Sequence, residues 1–264
     1  PDIPEYSVFD IARMQGKKLG LLIDDEIYNV DEVPDDIKLS TIQRNQVTAA
    51  KTKQSIVDRK AIAKMLKGLV FPLHFLDYEA IGTALPLYGG TKPYQQIPFQ
   101  YSLHVLRGAD AKLEHHQFLD QVGKDLPIER LLKSLAAVAG ANGSVIVWHK
   151  SFETGRNTEM AKMYPAYGDL LKSLNDRVFD LKDIFAKQHY VHHGFGGSNS
   201  IKTVLPVLVP EFSYKGLDIQ GGDVAAIRWY DAITGAVNGA QAEKTFNALL
   251  EYCRLDTLAM VKIY

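Results

Sequence analysis

The sequence predicts an α/β fold: a mixed five-stranded sheet flanked by helices, with an N-terminal α+β appendage. Three observations carry this. Three extended segments follow one another between residues 73 and 119. From residue 127 onward helical and short apolar segments alternate, so that the order reads β-β-β-α-β-α-α-β and then helices. The composition, 46% hydrophobic and 23% charged over 264 residues, is that of a globular chain with room for a sizeable core.

Residues 1–70 are expected to form the appendage. The segment 18–30 (KLGLLIDDEIYNV) reads as two short strands around the turn residues Asp24 and Asp25. Residues 54–68 read as a helix, with Ile56, Ile62, Ala63 and Leu66 near a 3.6-residue period and Gly68 as its stop. Charge is unevenly spread here. Residues 1–37 hold ten acids against three bases, and residues 38–67 hold eight bases against Asp58 alone. The opposed blocks are expected to neutralise each other. A basic cluster of this kind is also a nucleic-acid footprint.

The second domain is expected to span 71–264. Residues 73–79 (LHFLDYE) form its first strand. Phe99, Tyr101, Leu103 and Val105 alternate with polar residues, as in a half-buried strand, and 112–119 is a third extended run across the turn at 108–110. Ile128, Leu131, Leu132, Leu135, Val138 and Ala139 share a helical face that ends at Gly140. Residues 144–149 suit a buried parallel strand. A helix capped by Ser151 then runs to about Met163, and another covers 167–176. Residues 178–180 are a short strand and 181–189 a helix. A Gly/Ser loop, 194–200, precedes the helix 201–209, which Ser198 or Ser200 caps. Residues 222–234 and 241–264 are helical.

No run of about 18 apolar residues is present, so no membrane-spanning helix is expected. The lone cysteine, Cys253, excludes a disulfide framework and a CxxC zinc site, and a reducing, cytoplasmic setting fits it. There is no secretory signal pattern. The chain begins with Pro and stops inside a helical segment, which suggests a piece of a longer protein with further domains.

Three features carry chemistry. Asp77 and Glu79 in FLDYEA lie on one face of an apolar strand, where two carboxylates repel and call for a hard divalent cation. Tyr252 and Asp256 in YCRLD are stacked at i and i+4 on the last helix. Glu153 in WHKSFE falls in a first helical turn, where the helix dipole favours an acid. Four carboxylates suffice for two Mg²⁺ or Mn²⁺ ions, with a single ion as the lesser arrangement. Each feature also has a plain structural reading: solvated strand acids, a core tyrosine with an exposed acid, and a good first-turn residue.

Taken together, an acid pair on the first strand, an acid after the fourth and an acid one turn after a tyrosine on the last helix resemble a known pattern. It is that of the four-carboxylate 3′–5′ exonucleases of the ribonuclease H-like superfamily (the DnaQ type), in their tyrosine subclass. The strings FLDYEA, TKPYQQIPFQYSLHVL, SFETGR, GSNSIKTVLP and EYCRLDT also resemble an uncharacterised bacterial domain family of unknown function, placed with that exonuclease group. The resemblance implies a ribonuclease H-like sheet. It also implies metal-dependent hydrolysis of DNA or RNA phosphodiesters from single-stranded 3′ ends. Asp77, Glu79, Glu153 and Asp256 would hold the metals and Tyr252 would orient the attacking water. Glu153 stands where that pattern has Asp, and His149 where it often has Asn, which puts turnover in doubt more than fold.

For nucleic acid, Lys92, Tyr94, Gln95 and Gln96 follow the first strand, His149 precedes Glu153, and Lys202 follows the Gly/Ser loop. The alternative function is a ribonuclease H-like nucleic-acid-binding module without catalysis, serving a larger protein. Cys253 is expected on an apolar helix side, so no nucleophilic chemistry is assigned to it.

Overall fold

The computed structural model describes residues 2–264. The chain opens with α1 (Lys17–Asp24), α2 (Thr41–Thr52), β1 (Ile56–Val57) and α3 (Arg59–Leu66). There follow β2 (Leu73–Ile81), β3 (Ile97–Leu106), β4 (Glu114–Leu119), α4 (Ile128–Val138), β5 (Ser144–Val147), α5 (Lys150–Met163), α6 (Gly168–Asp176) and β6 (Val178–Asp180). The last elements are α7 (Asp183–Ala186), β7 (Tyr190–Val191), α8 (Ile201–Leu208), α9 (Gly222–Thr234) and α10 (Gly239–Ile263).

These elements divide into two compact units. Unit 1 comprises residues 1–68 and 182–211, and unit 2 comprises 69–181 and 212–264. In this division the segment 182–211 goes with unit 1. The reason is an antiparallel ladder in which Ile56 pairs with Val191 and Val57 with Tyr190.

Unit 1 has its own core of Val8, Ile11, Met14, Leu22, Val30, Val33, Val47 and Ala50. The expected strand pair over 18–30 is instead α1 and an extended tail. A short apolar run of this kind suits either element. The helix puts Leu19 and Leu22, one turn apart, against that core. The helix α2 was missed, although Ser40 and Gln43 close a capping box around its start: Gln43 N donates to Ser40 Oγ (3.4 Å) and Ser40 N to Gln43 Oε1 (3.0 Å). The opposed charge blocks do meet, through Lys51–Asp35 (2.7 Å) and Lys53–Asp31 (3.1 Å).

Unit 2 is a mixed five-stranded sheet in the order β4-β3-β2-β5-β6, flanked by helices. β2, β3 and β4 are mutually antiparallel, while β5 and β6 continue parallel to β2. α4 buries Ile128, Leu131, Leu132 and Leu135, each worth ~1.5–3 kcal/mol relative to exposure. The Tyr101 hydroxyl and Ser134 Oγ, 2.8 Å apart, tie α4 to β3. On the same face the Tyr78 hydroxyl donates to Asn157 Oδ1 of α5 (2.9 Å). A bulge between Glu79 and Ala80 lets Phe99 stack on Trp229 of α9, at 4.3 Å between centroids. The Trp229 indole N–H donates to Asp120 O (2.6 Å). Two cap expectations change in detail. α5 starts one residue earlier than Ser151, with His149 as N-cap, and Asp180 Oδ2 accepts from Lys150 N (2.9 Å). Ser200 holds the cap position of α8. No helix among the described residues is long and apolar enough to cross a membrane.

Candidate active site

Strand alternation puts Phe75, Asp77 and Glu79 of β2 on one face of the sheet, together with Gln100, Ser102 and His104 of β3. α10 lies over that face. Gln100 Nε2 donates to Leu249 O (2.8 Å), Ser102 Oγ is 2.7 Å from Thr257 Oγ1, and His104 Nδ1 is 2.7 Å from the same hydroxyl. The buried residues Leu249, Tyr252, Cys253, Asp256 and Met260 follow the period of the helix and turn toward the sheet. Glu153 enters from the first turn of α5, just past the end of β5.

Glu79, Glu153 and Asp256 are 7%, 2% and 7% exposed, and Asp77 is half-buried. Burial pushes the Asp77 carboxyl well above its ordinary 3.8, and the charges of Asp256, Glu79 and Glu153 push it further in that order. The charges of the other three expected ligands thus all act on Asp77.

Two partners were not foreseen. The Tyr214 hydroxyl donates to Asp256 Oδ1 at 2.6 Å. The Cys253 thiol lies 3.7 Å from Asp77 Oδ2, and ligand atoms of Asp77, Glu79 and Cys253 fall within 4.8 Å of one another. Cys253, expected on an apolar helix side, is buried there but also meets Asp77. It sits three residues before Asp256, so it shares that residue's helix face. Burial and the nearby acids Asp77, Glu79 and Asp256 push its thiol well up, so it stays protonated and donates.

Tyr252 is buried, with its ring 6.3 Å from that of Tyr214 in an edge-on arrangement. Burial first, then Asp256, Glu79 and Asp77, hold its hydroxyl far above 10. Tyr214 is held up the same way, by burial and by Asp256. Both are neutral donors at any physiological pH.

Beside Glu79 lies a cleft of about 480 Å³ lined by Ala80, Ile81, Gln96, Phe152, Gly222 and Ile227, among others. Gly222, in the first turn of α9, approaches so closely that a Cβ there would lie 3.1 Å from Glu79 Oε2. Of the residues expected to meet nucleic acid, Gln96 lines this cleft. Lys92 and Tyr94 are exposed on the 82–96 loop, and Tyr94 is 69% exposed. Gln95 Oε1 accepts from Lys92 N (2.9 Å) and Gln95 Nε2 contacts Met163 Sδ. His149 is exposed, 3.2 Å through Nε2 from Ser151 Oγ. Lys202 lies on α8 and belongs to unit 1, whereas the four carboxylates belong to unit 2.

Residues 74–200 match the model of a family described as a domain of unknown function (DUF2779). The match includes Asp77, Glu79 and Glu153 and stops short of Tyr252 and Asp256. The chain is similar to uncharacterised proteins of Mycoplasma genitalium (MG366; 28% identity over 72% of this chain and 31% of that protein) and Ureaplasma parvum (UU173; 23% identity over 98% and 40%). It spans about a third of the length of the curated Mycoplasma relatives it matches. No solved structure matches it.

Proposed function

We propose that this chain is a metal-dependent 3′–5′ exonuclease acting on single-stranded ends of DNA or RNA. The observation that carries the reading is the pair Asp77 and Glu79, whose ligand oxygens lie within 4.8 Å in the interior, with Asp256 and Glu153 near enough for their charges to act on Asp77. The strand order β4-β3-β2-β5-β6, three antiparallel strands followed by two parallel ones, supports a ribonuclease H-like sheet.

The carboxylate oxygens of Asp77 and Glu79, withdrawn from bulk water and repelling until a positive charge joins them, suit a hard divalent cation, and the Cys253 thiol falls in the same group. Asp77, Glu79, Glu153 and Asp256 would hold it, with room in the ligand count for two ions of the Mg²⁺ or Mn²⁺ class. When bound, such ions supply a nucleophilic hydroxide at neutral pH and stabilise charge on the leaving oxygen. Tyr214 fixes the rotamer of Asp256 through its 2.6 Å hydrogen bond. Tyr252, neutral and close to three carboxylates, orients water as a donor and cannot act as the base. The cleft beside Glu79 offers Phe152 and Ile227 to the base and sugar of a terminal nucleotide, with Gln96 for a polar edge. Lys92 and Tyr94 stand exposed on the loop above β2 for phosphate and base.

One observation favours the second reading, a binding module without turnover. Asp256 Oδ1 and Asp77 Oδ2 already accept hydrogen bonds from Tyr214 and Cys253, which compete with a cation for those oxygens. The deciding experiment uses 5′-end-labelled single-stranded DNA and RNA with Mg²⁺ or Mn²⁺. Shortening from the 3′ end that chelator and Glu153→Gln both abolish supports the exonuclease. Binding without cleavage supports the module. Equal cleavage by the parent chain and Glu153→Gln overturns the assigned roles.

A further inference from the structure

The group of possible ligands on β2 and α10 is chemically mixed: two carboxylates and a sulfur. Asp77, Glu79 and Cys253 each offer an atom within 4.8 Å of the others. Cys253 is 0% exposed, and its thiol donates to Asp77 Oδ2 across 3.7 Å. An ion held tetrahedrally at ~2.1 Å from an oxygen and ~2.3 Å from a sulfur sets those two atoms about 3.6 Å apart. The thiol and the carboxylate therefore already stand at the spacing of two ligands of one ion.

A second observation comes from β3. Gln100 pairs with Glu79 in the ladder, faces the same side of the sheet and is 0% exposed. Its Nε2 donates to Leu249 O (2.8 Å), on the helical turn just before Cys253 and on the same helix face. Because that carbonyl takes the amide nitrogen, the oxygen is the atom left over, and Gln100 Oε1 accepts no hydrogen bond among the described residues. A buried acceptor in this state costs free energy until a positive group arrives. It lies beside Glu79 and owes nothing to the sulfur.

We infer that Cys253 is a ligand of the ion held by Asp77 and Glu79, so that this position takes a borderline cation of the Zn²⁺ class in preference to Mg²⁺. Mg²⁺ takes oxygen ligands and leaves a sulfur unused, whereas thiolate and carboxylate both bind Zn²⁺. As the metal–sulfur bond forms, the S–H bond breaks and its proton passes to the buffer. The thiol hydrogen bond that competes for Asp77 Oδ2 is thereby removed by the ion itself. The sulfur ligand rests on the reading of Asp77 and Glu79 as cation ligands, and on no step of phosphodiester hydrolysis.

The test strips the whole chain with chelator and reloads it with one equivalent of Zn²⁺ or Co²⁺. X-ray absorption at the zinc edge needs no variant, and should show one sulfur at about 2.3 Å among oxygens at about 2.0–2.2 Å. Co²⁺ should give the near-ultraviolet charge-transfer band of a cobalt–sulfur bond, which Cys253→Ser and Cys253→Ala should both lack. In calorimetry the same two substitutions should lower the preference for Zn²⁺ over Mg²⁺ by about tenfold or more, since even the outer partners of a metal's ligands are worth about 10- to 100-fold. Zinc that Asp77→Asn releases, but that has only light-atom neighbours in the parent chain, overturns the sulfur ligand and leaves the carboxylate site standing. Zinc that stays bound in Asp77→Asn with its sulfur neighbour missing sits elsewhere and also overturns the proposal. No saturable binding of Zn²⁺, Co²⁺ or Mg²⁺ overturns the sulfur ligand and the carboxylate site together.

Discussion

Replacing Asp77 by Asn should make the cation-free protein more stable at pH 8, the reverse of what removing a buried hydrogen-bonding residue normally does. Ligand oxygens of Asp77 and Glu79 lie within 4.8 Å. Two full charges at that separation repel by about 3.5 kcal/mol at an effective dielectric constant of about 20. That figure is the bare repulsion at the widest separation, and Asp77 relieves part of it by keeping its proton. Asparagine retains the shape and a group for the Cys253 thiol while removing the charge. A gain of about 1–3 kcal/mol follows, and a chain of this size gains about 2–4 °C per kcal/mol in melting temperature.

The pH dependence follows from the direction of the shift. The Asp77 carboxyl is raised above its ordinary 3.8, so the folded state binds the proton more tightly than the unfolded chain does. Its contribution to stability is complete below 3.8 and is lost as pH rises through the folded value. The gain from Asp77→Asn should therefore be absent near pH 3 and grow toward pH 8. Saturating Mn²⁺ should raise the melting temperature of the parent chain, by ~2.7 kcal/mol of stabilisation at a hundredfold excess over Kd, and leave Asp77→Asn unmoved. Thermal melts in chelator and in Mn²⁺ across pH 3–8 measure all of this. An Asp77→Asn variant less stable than the parent at pH 8 in chelator would refute the electrostatic reasoning.

Tyr78→Phe strands a buried acceptor, Asn157 Oδ1, and should cost about 1–3 kcal/mol by urea denaturation while leaving the Mn²⁺-induced rise in melting temperature intact. Gly143→Ala places a Cβ 1.9 Å from Pro72 O at φ +84°, a clash of backbone against side chain that no rotamer relieves. It should cost more than about 3 kcal/mol or abolish soluble expression. His104 and His115 are pushed down from 6.5 to about 3 and about 4, mainly by burial. The unfolded chain takes up protons that the folded state refuses, so these two contribute stability that is lost as pH falls from 6.5 toward 3. A His104→Gln, His115→Gln variant should flatten that acid limb in melts recorded between pH 4 and 7, and an unchanged slope counts against it.

The parts of the site carried by short-range periodicity were legible in the sequence. Alternation alone put Asp77 and Glu79 on one face of β2, and the i, i+4 spacing alone stacked Tyr252 and Asp256 on α10. Tyr214 was not legible, because it lies in an aperiodic stretch and its partner is 42 residues away. The ladder that joins 182–211 to unit 1 is only two residues long on each side and spans more than 130 positions, so no local pattern announces it. Two misses did have a signal. The Ser40–Gln43 spacing of α2 is a capping box, and Cys253 shares a face with Asp256 by simple helix arithmetic.

What periodicity cannot supply is the depth at which α10 sits over the sheet, and the cross-strand register supplies it. Asp77 pairs with Ser102 and Glu79 with Gln100. Those two neighbours are the residues that hold α10: Ser102 through Thr257, and Gln100 through Leu249 O. The register that sets the two strand acids beside their neighbours thus also fixes the helix two turns apart, with Asp256 next to the Thr257 anchor. A slip of one residue in β3 would turn Ser102 and Gln100 to the α4 side and carry Tyr101 and Leu103 under α10. The helix would lose both hydrogen bonds and Asp256 its place near Asp77. The order of motifs along the chain announces a possible site, but the polar residues opposite the acids on β3 are what assemble it.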